Sequence, residues 1–179
     1  GLGQLVDVSL YDSGISLLHP HAGNWFMSGR TPGRSGNAHP NIYPYDSFAT
    51  GTTPVFLAVG NDRQFRLLCE HLGCPQLVAD ERFATAGQRS HHRDALKPLL
   101  EQALQASDGP ALADALMAIG VPAAPVLGVD AALNHPHTLH REMVVEMEGG
   151  YRGLGAPVKL SRTPASYRHA PLAEGDSFE

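Results

Sequence analysis

Apolar and polar residues alternate over Leu5-Val-Asp-Val-Ser-Leu10, the period-two pattern of a half-buried strand. From Tyr11 to Met27 the pattern becomes that of an apolar helix packed in a core, with Asp12 or Ser13 near its start. Pro20 falls inside that stretch and is expected to kink it or to begin a new turn, because it lacks an N–H. Ser28 to Pro44 has no periodicity and little to bury, and it reads as a long irregular loop. Pattern resumes at Tyr45–Thr50 and Pro54–Gly60, two strand-like runs joined by Ala49-Thr-Gly-Thr-Thr53 as an antiparallel hairpin.

Helical spacing then takes over. Asn61 is expected to cap a helix, with Gln64 completing a capping box. Phe65, Leu68, Cys69 and Leu72 share one face of it, and Gly73 ends it. Asp80 to Arg93 is polar and is expected at the surface. Ala95 to Ala106 predicts a helix that buries Leu96, Leu99, Leu100, Ala103 and Leu104, with Pro98 near its first turn or bending it. Asp108 is expected to cap a further helix over Pro110–Ile119, stopped by Gly120. Val121–Val126 reads as extended, Val129–Leu133 as a short helix, and Met143–Glu148 and Val158–Leu160 as strands. Helices and strands are interleaved without a repeat, so the fold class expected is α/β, with an α+β small domain at its centre.

Composition adds limits rather than direction. The 179 residues suffice for a domain with its own core, and 42% hydrophobic with 17% charged content is ordinary for a globular protein. A net charge of −5 with scattered Lys and Arg gives no basic stripe for nucleic acid. No apolar run approaches the ~18 residues of a membrane span. The two cysteines, Cys69 and Cys74, fit free thiols in a reducing compartment, hence a cytoplasmic location, better than a disulfide framework. Nineteen glycines and fourteen prolines mark many turns.

Candidate chemistry gathers in the loop Arg34-Ser-Gly-Asn-Ala-His-Pro-Asn-Ile-Tyr-Pro-Tyr45. Pro40 and Pro44 stiffen it. Gly36 lets backbone approach a ligand, and successive N–H groups in such a turn can receive an oxyanion. A rigid interdomain linker is the alternative reading. His39 could move a proton or hold the loop in shape. Arg30 and Arg34 could meet phosphates or stay solvated.

Other patterns are weaker. His135, His137 and His140 resemble a metal set, but Pro136 disrupts helical pairing and no cysteine is near in sequence. Gly150–Gly155 mimics part of a dinucleotide fingerprint without its strand, helix or acidic residue. Cys69 reads as a small core residue.

The strings GNAHPNIYPYDSF and VFLAVGNDRQFRLLCEHLG resemble the family III CoA-transferases, the group of formyl-CoA transferase, carnitine CoA-transferase and α-methylacyl-CoA racemase. GQLVDVSLYD, LVADERFATAGQRSHHRDAL, GVPAAPVLGVDAAL, REMVVEME and GAPVKLSRTP extend the likeness over nearly the whole chain, in order. The resemblance implies an interlocked homodimer in which each chain has a large nucleotide-fold domain and a small domain. Residues 1–40 would be a strand, helix and linker of the large domain, 41–153 the small domain, and 154–179 a return segment, with PLAEGDSFE opening a last helix.

The same resemblance implies transfer of CoA from an acyl-CoA to a carboxylic acid, through anhydride and CoA-thioester intermediates on an Asp, without metal or resident cofactor. That Asp is expected upstream of Gly1, so that none of the acidic residues here takes its role. The active-site loop would be Gly36, Asn37, Ala38, His39 and Pro40, covering the thioester end of the substrate. Some relatives carry a run of glycines where this chain has GNAHPN. Leu10 matches a position near the bound CoA, and Arg34 is a candidate phosphate partner. A racemase of the same family, or a non-catalytic binding or dimerisation domain, are the alternatives.

Overall fold

In the computed structural model, residues 3–171 are described. The expected last helix in PLAEGDSFE lies, from Leu172 onward, outside the described residues. Packing divides the chain into two compact units between Val126 and Leu127.

The first unit opens with α1 (Leu10–Ser16) and α2 (His21–Ser28). The strand expected at Leu5–Leu10 is not formed: residues 3–9 are irregular and Leu10 begins α1. Alternation supplies a two-faced strand only if a neighbour supplies the hydrogen bonds, and among the described residues this segment has none. The helix starts earlier than expected, because the Ser9 hydroxyl accepts from the Asp12 N–H at 3.0 Å and caps it. Pro20 divides the predicted helix in two, as its missing N–H requires. Among the described residues, the core packing expected for Tyr11–Met27 is not found; as part of the large domain that the resemblance implies, the segment would leave its apolar face open here. Leu10 is 92% and Met27 90% exposed, with Leu17 and Phe26 also open.

The body of the unit is built on a three-stranded antiparallel sheet in the order β1 (Tyr45–Phe48), β2 (Val55–Ala58), β3 (Ala123–Pro125). Phe48 pairs with Val55 and Leu57 with Asp46 on one edge of β2, while Leu57 faces Ala123 on the other. Phe48, Val55 and Leu57 alternate inward, and Val59 continues the same core beyond β2.

Between β2 and β3 lie α3 (Asp62–His71), α4 (Gln76–Ala79), α5 (Ala86–His91), α6 (Arg93–Leu104) and α7 (Gly109–Ala118). Asn61 accepts from the Gln64 N–H at 2.9 Å, and the Gln64 side chain accepts from the Gly60 N–H at 2.8 Å, so the box closes one residue earlier than its usual form. Asp108 accepts from the Ala111 N–H at 3.1 Å and caps α7 as expected. Phe65, Leu68, Cys69, Leu96, Leu100, Leu104, Leu112 and Leu116 close over the sheet. Leu99 does not join them and stays partly exposed. Pro98 sits in the second turn of α6 on its outer side, where a lost N–H costs least.

The expected surface run Asp80–Arg93 is corrected at two positions. Phe83 and Arg89 are wholly buried. The Arg89 guanidinium donates to the carbonyls of Tyr43 (3.2 Å) and Phe83 (3.0 Å) and to Asp62 (2.7 Å), and it lies over the Phe65 ring. A buried cation is tolerable only when its donors are met in this way.

The second unit holds α8 (Val129–Leu133), α9 (Pro136–His140) and a hairpin of β4 (Val144–Glu146) and β5 (Arg152–Leu154). β5 lies within the Gly150–Gly155 stretch, and Gly149 and Gly150 before the strand supply the positive φ of the turn (both 81°). His135 caps α9 through its ring, which accepts from the His137 N–H. Val158–Leu160 forms no strand. Among the described residues no helix is long and apolar enough to cross a membrane, and no three His, Cys, Asp or Glu side chains are grouped to hold a metal.

Candidate functional site

The loop before β1 has a fixed base and a free tip. At the base, the His39 N–H donates to the Tyr45 carbonyl at 2.8 Å. The His39 Nδ1 accepts from the N–H groups of Asn41 (3.1 Å) and Ile42 (3.2 Å). Its ring stacks on Tyr45 with centroids 5.0 Å apart. The side-chain amides of Asn41 and Asn24 exchange two hydrogen bonds (3.1 and 3.0 Å), tying the base to α2. Arg93, the first residue of α6, donates to the carbonyls of His39 (3.3 Å) and Pro40 (3.1 Å).

These bonds decide what His39 can do. With Nδ1 accepting from two N–H groups, the imidazole is neutral and carries its proton on Nε2. Burial holds its pKa below the ordinary imidazole value, and the charges of His21, His19 and Arg93 push the same way. His39 therefore holds the loop in shape, and the geometry gives no support to proton transfer at Nδ1.

The tip differs. Gly36 has φ 60°, and a Cβ added there would meet nothing within 4 Å. Glycine is required by backbone conformation, not by a crowding neighbour. The Ala38 N–H is spent on the Ser35 carbonyl at 3.2 Å. Among the described residues, the N–H groups of Gly36 and Asn37 have no acceptor. Those two, rather than Ala38 or His39, are the donors left to meet a ligand oxygen.

Beside the loop lies an apolar groove of about 590 Å³, lined by Leu18, His21, Trp25, Phe26, Pro32 and Gly33 among others. The buried Nδ1 of His21 has no partner among the described residues. Neither Leu10 nor Arg34 lines this groove. Leu10 is exposed on the first turn of α1 and Arg34 is exposed on the loop without an ion pair among the described residues. The structure does not bring these two together as one site.

Asp46 is held by Lys97 at 2.8 Å and by the Ser47 N–H at 2.7 Å, a structural pair on β1. Sequence reasoning missed Arg93, Asn24 and Asn41 as supports of the loop. Arg93 closes a polar run with no periodicity, and an asparagine pair 17 residues apart carries no local signal. The irregular length of the loop, Gly36 and the family resemblance pointed to the place, but not to these supports.

The profile of the CoA-transferase family III matches residues 1–177. The chain is 37% identical over 161 residues to the acetyl-CoA:oxalate CoA-transferase of Acetobacter aceti, covering 90% of this chain and 41% of that protein. It is 34% identical over 171 residues to the succinate–glutarate CoA-transferase of Agrobacterium fabrum, covering 93% and 43%. A CAIB/BAIF family protein from Brucella suis superposes with a TM-score of 0.76 at 38% identity, covering 90% of this chain and 43% of that one. The chain thus spans less than half the length of these relatives.

Proposed function

This chain belongs to the CoA-transferase family III, and from that membership we infer that it works as part of an enzyme moving CoA from an acyl-CoA to a carboxylic acid. The nucleophile is an Asp carboxylate in sequence preceding Gly1. One of its oxygens attacks the thioester carbonyl, the C–S bond breaks, and CoA leaves as thiolate with an acyl-aspartyl anhydride behind. The thiolate attacks the aspartyl carbonyl, releasing the donor acid and forming an aspartyl-CoA thioester. The acceptor carboxylate then attacks that thioester, expels the thiolate and forms a second anhydride. The thiolate takes the new acyl group and frees the Asp. Acyl-CoA and acid are the only substrates, and no resident cofactor enters the scheme.

The observation that carries the reading is the family match together with a loop whose base is fixed and whose tip offers two unpaired N–H groups. Gly36 and Asn37 are suited to receive the oxyanion of a tetrahedral intermediate, and the loop as a whole to keep water from the anhydride. Leu10 and Arg34 remain candidates for CoA contact. The oxalate, succinate and glutarate in the relatives' names support a dicarboxylate as the acceptor. The working form is a cytoplasmic homodimer, and residues 1–179 alone transfer no CoA.

The test is made on the full-length protein. Acyl-CoA donors are offered with dicarboxylate and monocarboxylate acceptors, and new CoA esters are followed by mass spectrometry. New ester with a dicarboxylate is expected, and an Asp-linked CoA thioester should be trapped when the acceptor is omitted. Gly36→Val, strained at positive φ but clashing with nothing, should lower transfer at least about tenfold with the fold intact. Full activity in that variant would remove the loop from the mechanism.

A further inference from the structure

One side chain reaches the base of the loop from α6. Arg93 spans from the start of α6 to the consecutive carbonyls of His39 and Pro40, at 3.3 and 3.1 Å. Its own position is fixed by Ser90, whose carbonyl accepts from Nε (3.1 Å) and whose hydroxyl oxygen accepts from Nη2 (2.9 Å). The guanidinium also lies 5.6 Å from the centre of the buried Tyr43 ring. A planar fork with several donors can bridge two carbonyls and a hydroxyl at once, whereas an ammonium cannot hold that geometry.

Resting on the loop assignment above, we propose that Arg93 is the positioning residue of the active-site loop, setting where the Gly36–Asn37 tip stands over the reacting thioester. The carbonyls it grips belong to the residues that end the tip. The other ties, the His39 ring and the Asn24–Asn41 pair, fix the local shape of the base and its link to α2. Arg93 is the side chain that connects that base to the helix packed on the sheet. Released from it, the tip would still form but would cover the site less of the time. Water would then compete with the acceptor carboxylate for the anhydride and the aspartyl thioester.

A merely structural Arg93 would lower transfer and hydrolysis together, whereas a positioning Arg93 changes their ratio. In the full-length enzyme, free CoA (hydrolysis) and the acceptor's new CoA ester (transfer) are both measured, with and without acceptor, for wild type, Arg93→Met and Arg93→Lys, beside thermal unfolding. Arg93→Met should raise the hydrolysis-to-transfer ratio about tenfold, with KM for the acyl-CoA changed less than about threefold. Arg93→Lys, keeping the charge over Tyr43 but not the fork, should fall between. If Arg93→Met does not fold, the Lys variant decides, and an unchanged ratio in it overturns the proposal. Gly36→Val separates the two levels of inference. Should it raise the ratio while both Arg93 variants leave it alone, the loop reading stands and the Arg93 proposal falls. Should neither position affect ratio or rate, the loop reading falls first.

Discussion

Helices α2 and α6 carry similar apolar content and end in different states. α6 sinks Leu96, Leu100 and Leu104 completely beneath the sheet. α2 leaves Trp25, Phe26 and Met27 open, with no buried residue. Each buried leucine removes surface worth roughly 1.5–3 kcal/mol from water, while the exposed aromatic side chains and thioether of α2 gain nothing until something covers them. Burial is thus supplied by a neighbour, and periodicity only says which side would accept one. The contrast divides the first unit into a self-sufficient body, Tyr43 to Val126, and an arm, residues 3–28, whose apolar face has no cover among the described residues.

The largest effect expected in the body comes from its buried cation. Arg89→Ala leaves the carbonyls of Tyr43 and Phe83 without donors and empties the space over Phe65. Two orphaned buried acceptors at about 1–3 kcal/mol each, with lost packing, put the cost near 3–5 kcal/mol. Asp62 is half exposed and can return to water, so it adds little. Urea denaturation of the 179-residue chain measures the loss. A change under about 1 kcal/mol would mean that the body is not the self-contained unit described here.

Next come paired truncations of the two helices. Leu100→Ala should cost about 2–5 kcal/mol, since its site is closed on every side. Met27→Ala should change stability by no more than ~0.5 kcal/mol. Equal losses would show that the arm is covered in solution, by association of copies or otherwise. Dilution would then separate the two variants again.

The same contrast explains what could be read from the sequence. The hairpin, the Asn61 and Asp108 caps and the leucine faces of α3 and α6 were legible because each depends on local chemistry plus one buried side. The strand at Leu5–Leu10 was not, because alternation is silent about whether a ladder partner exists. Arg89 was hidden for the opposite reason. A charged residue in a polar run is read as solvated, and only four groups drawn from Tyr43, Asp62, Phe65 and Phe83 make its burial possible. The loop was singled out by its irregular length, its glycine and, above all, the family resemblance. Its supports at Asn24 and Arg93 are distant in sequence and left no pattern to find.

Capping sharpens the comparison at smaller scale, since Ser9 and Asn61 make the same type of bond, at 3.0 and 2.9 Å. Asn61→Ala should lower stability by about 1 kcal/mol, because α3 is part of the cooperative core. Ser9→Ala should reduce the helicity of α1 in circular dichroism while the urea midpoint stays put. A matching shift in midpoint from both variants would show that α1 unfolds with the body rather than ahead of it.

The smallest effect lies at His39, where arm and body meet in one imidazole. Its Nδ1 accepts from Asn41 and Ile42 of the loop base, and the imidazoles of His19 and His21 on the arm side disfavour its charge. Burial, the largest cause, acts in the same direction, so the folded pKa lies below the ordinary 6.5. Between the two pKa values the unfolded chain binds more protons than the folded one. The stabilisation from neutral His39 is therefore complete above pH 6.5 and is lost as pH falls through the folded pKa. Nuclear magnetic resonance titration, with His39→Asn to assign its signal, should give a value below 6.5 in the folded chain. The variant should also lack this part of the acid-side fall in stability. A folded pKa at or above 6.5 would mean that Nδ1 is not held as an acceptor. The loop base would then be fixed by Arg93 and the asparagine pair without the ring.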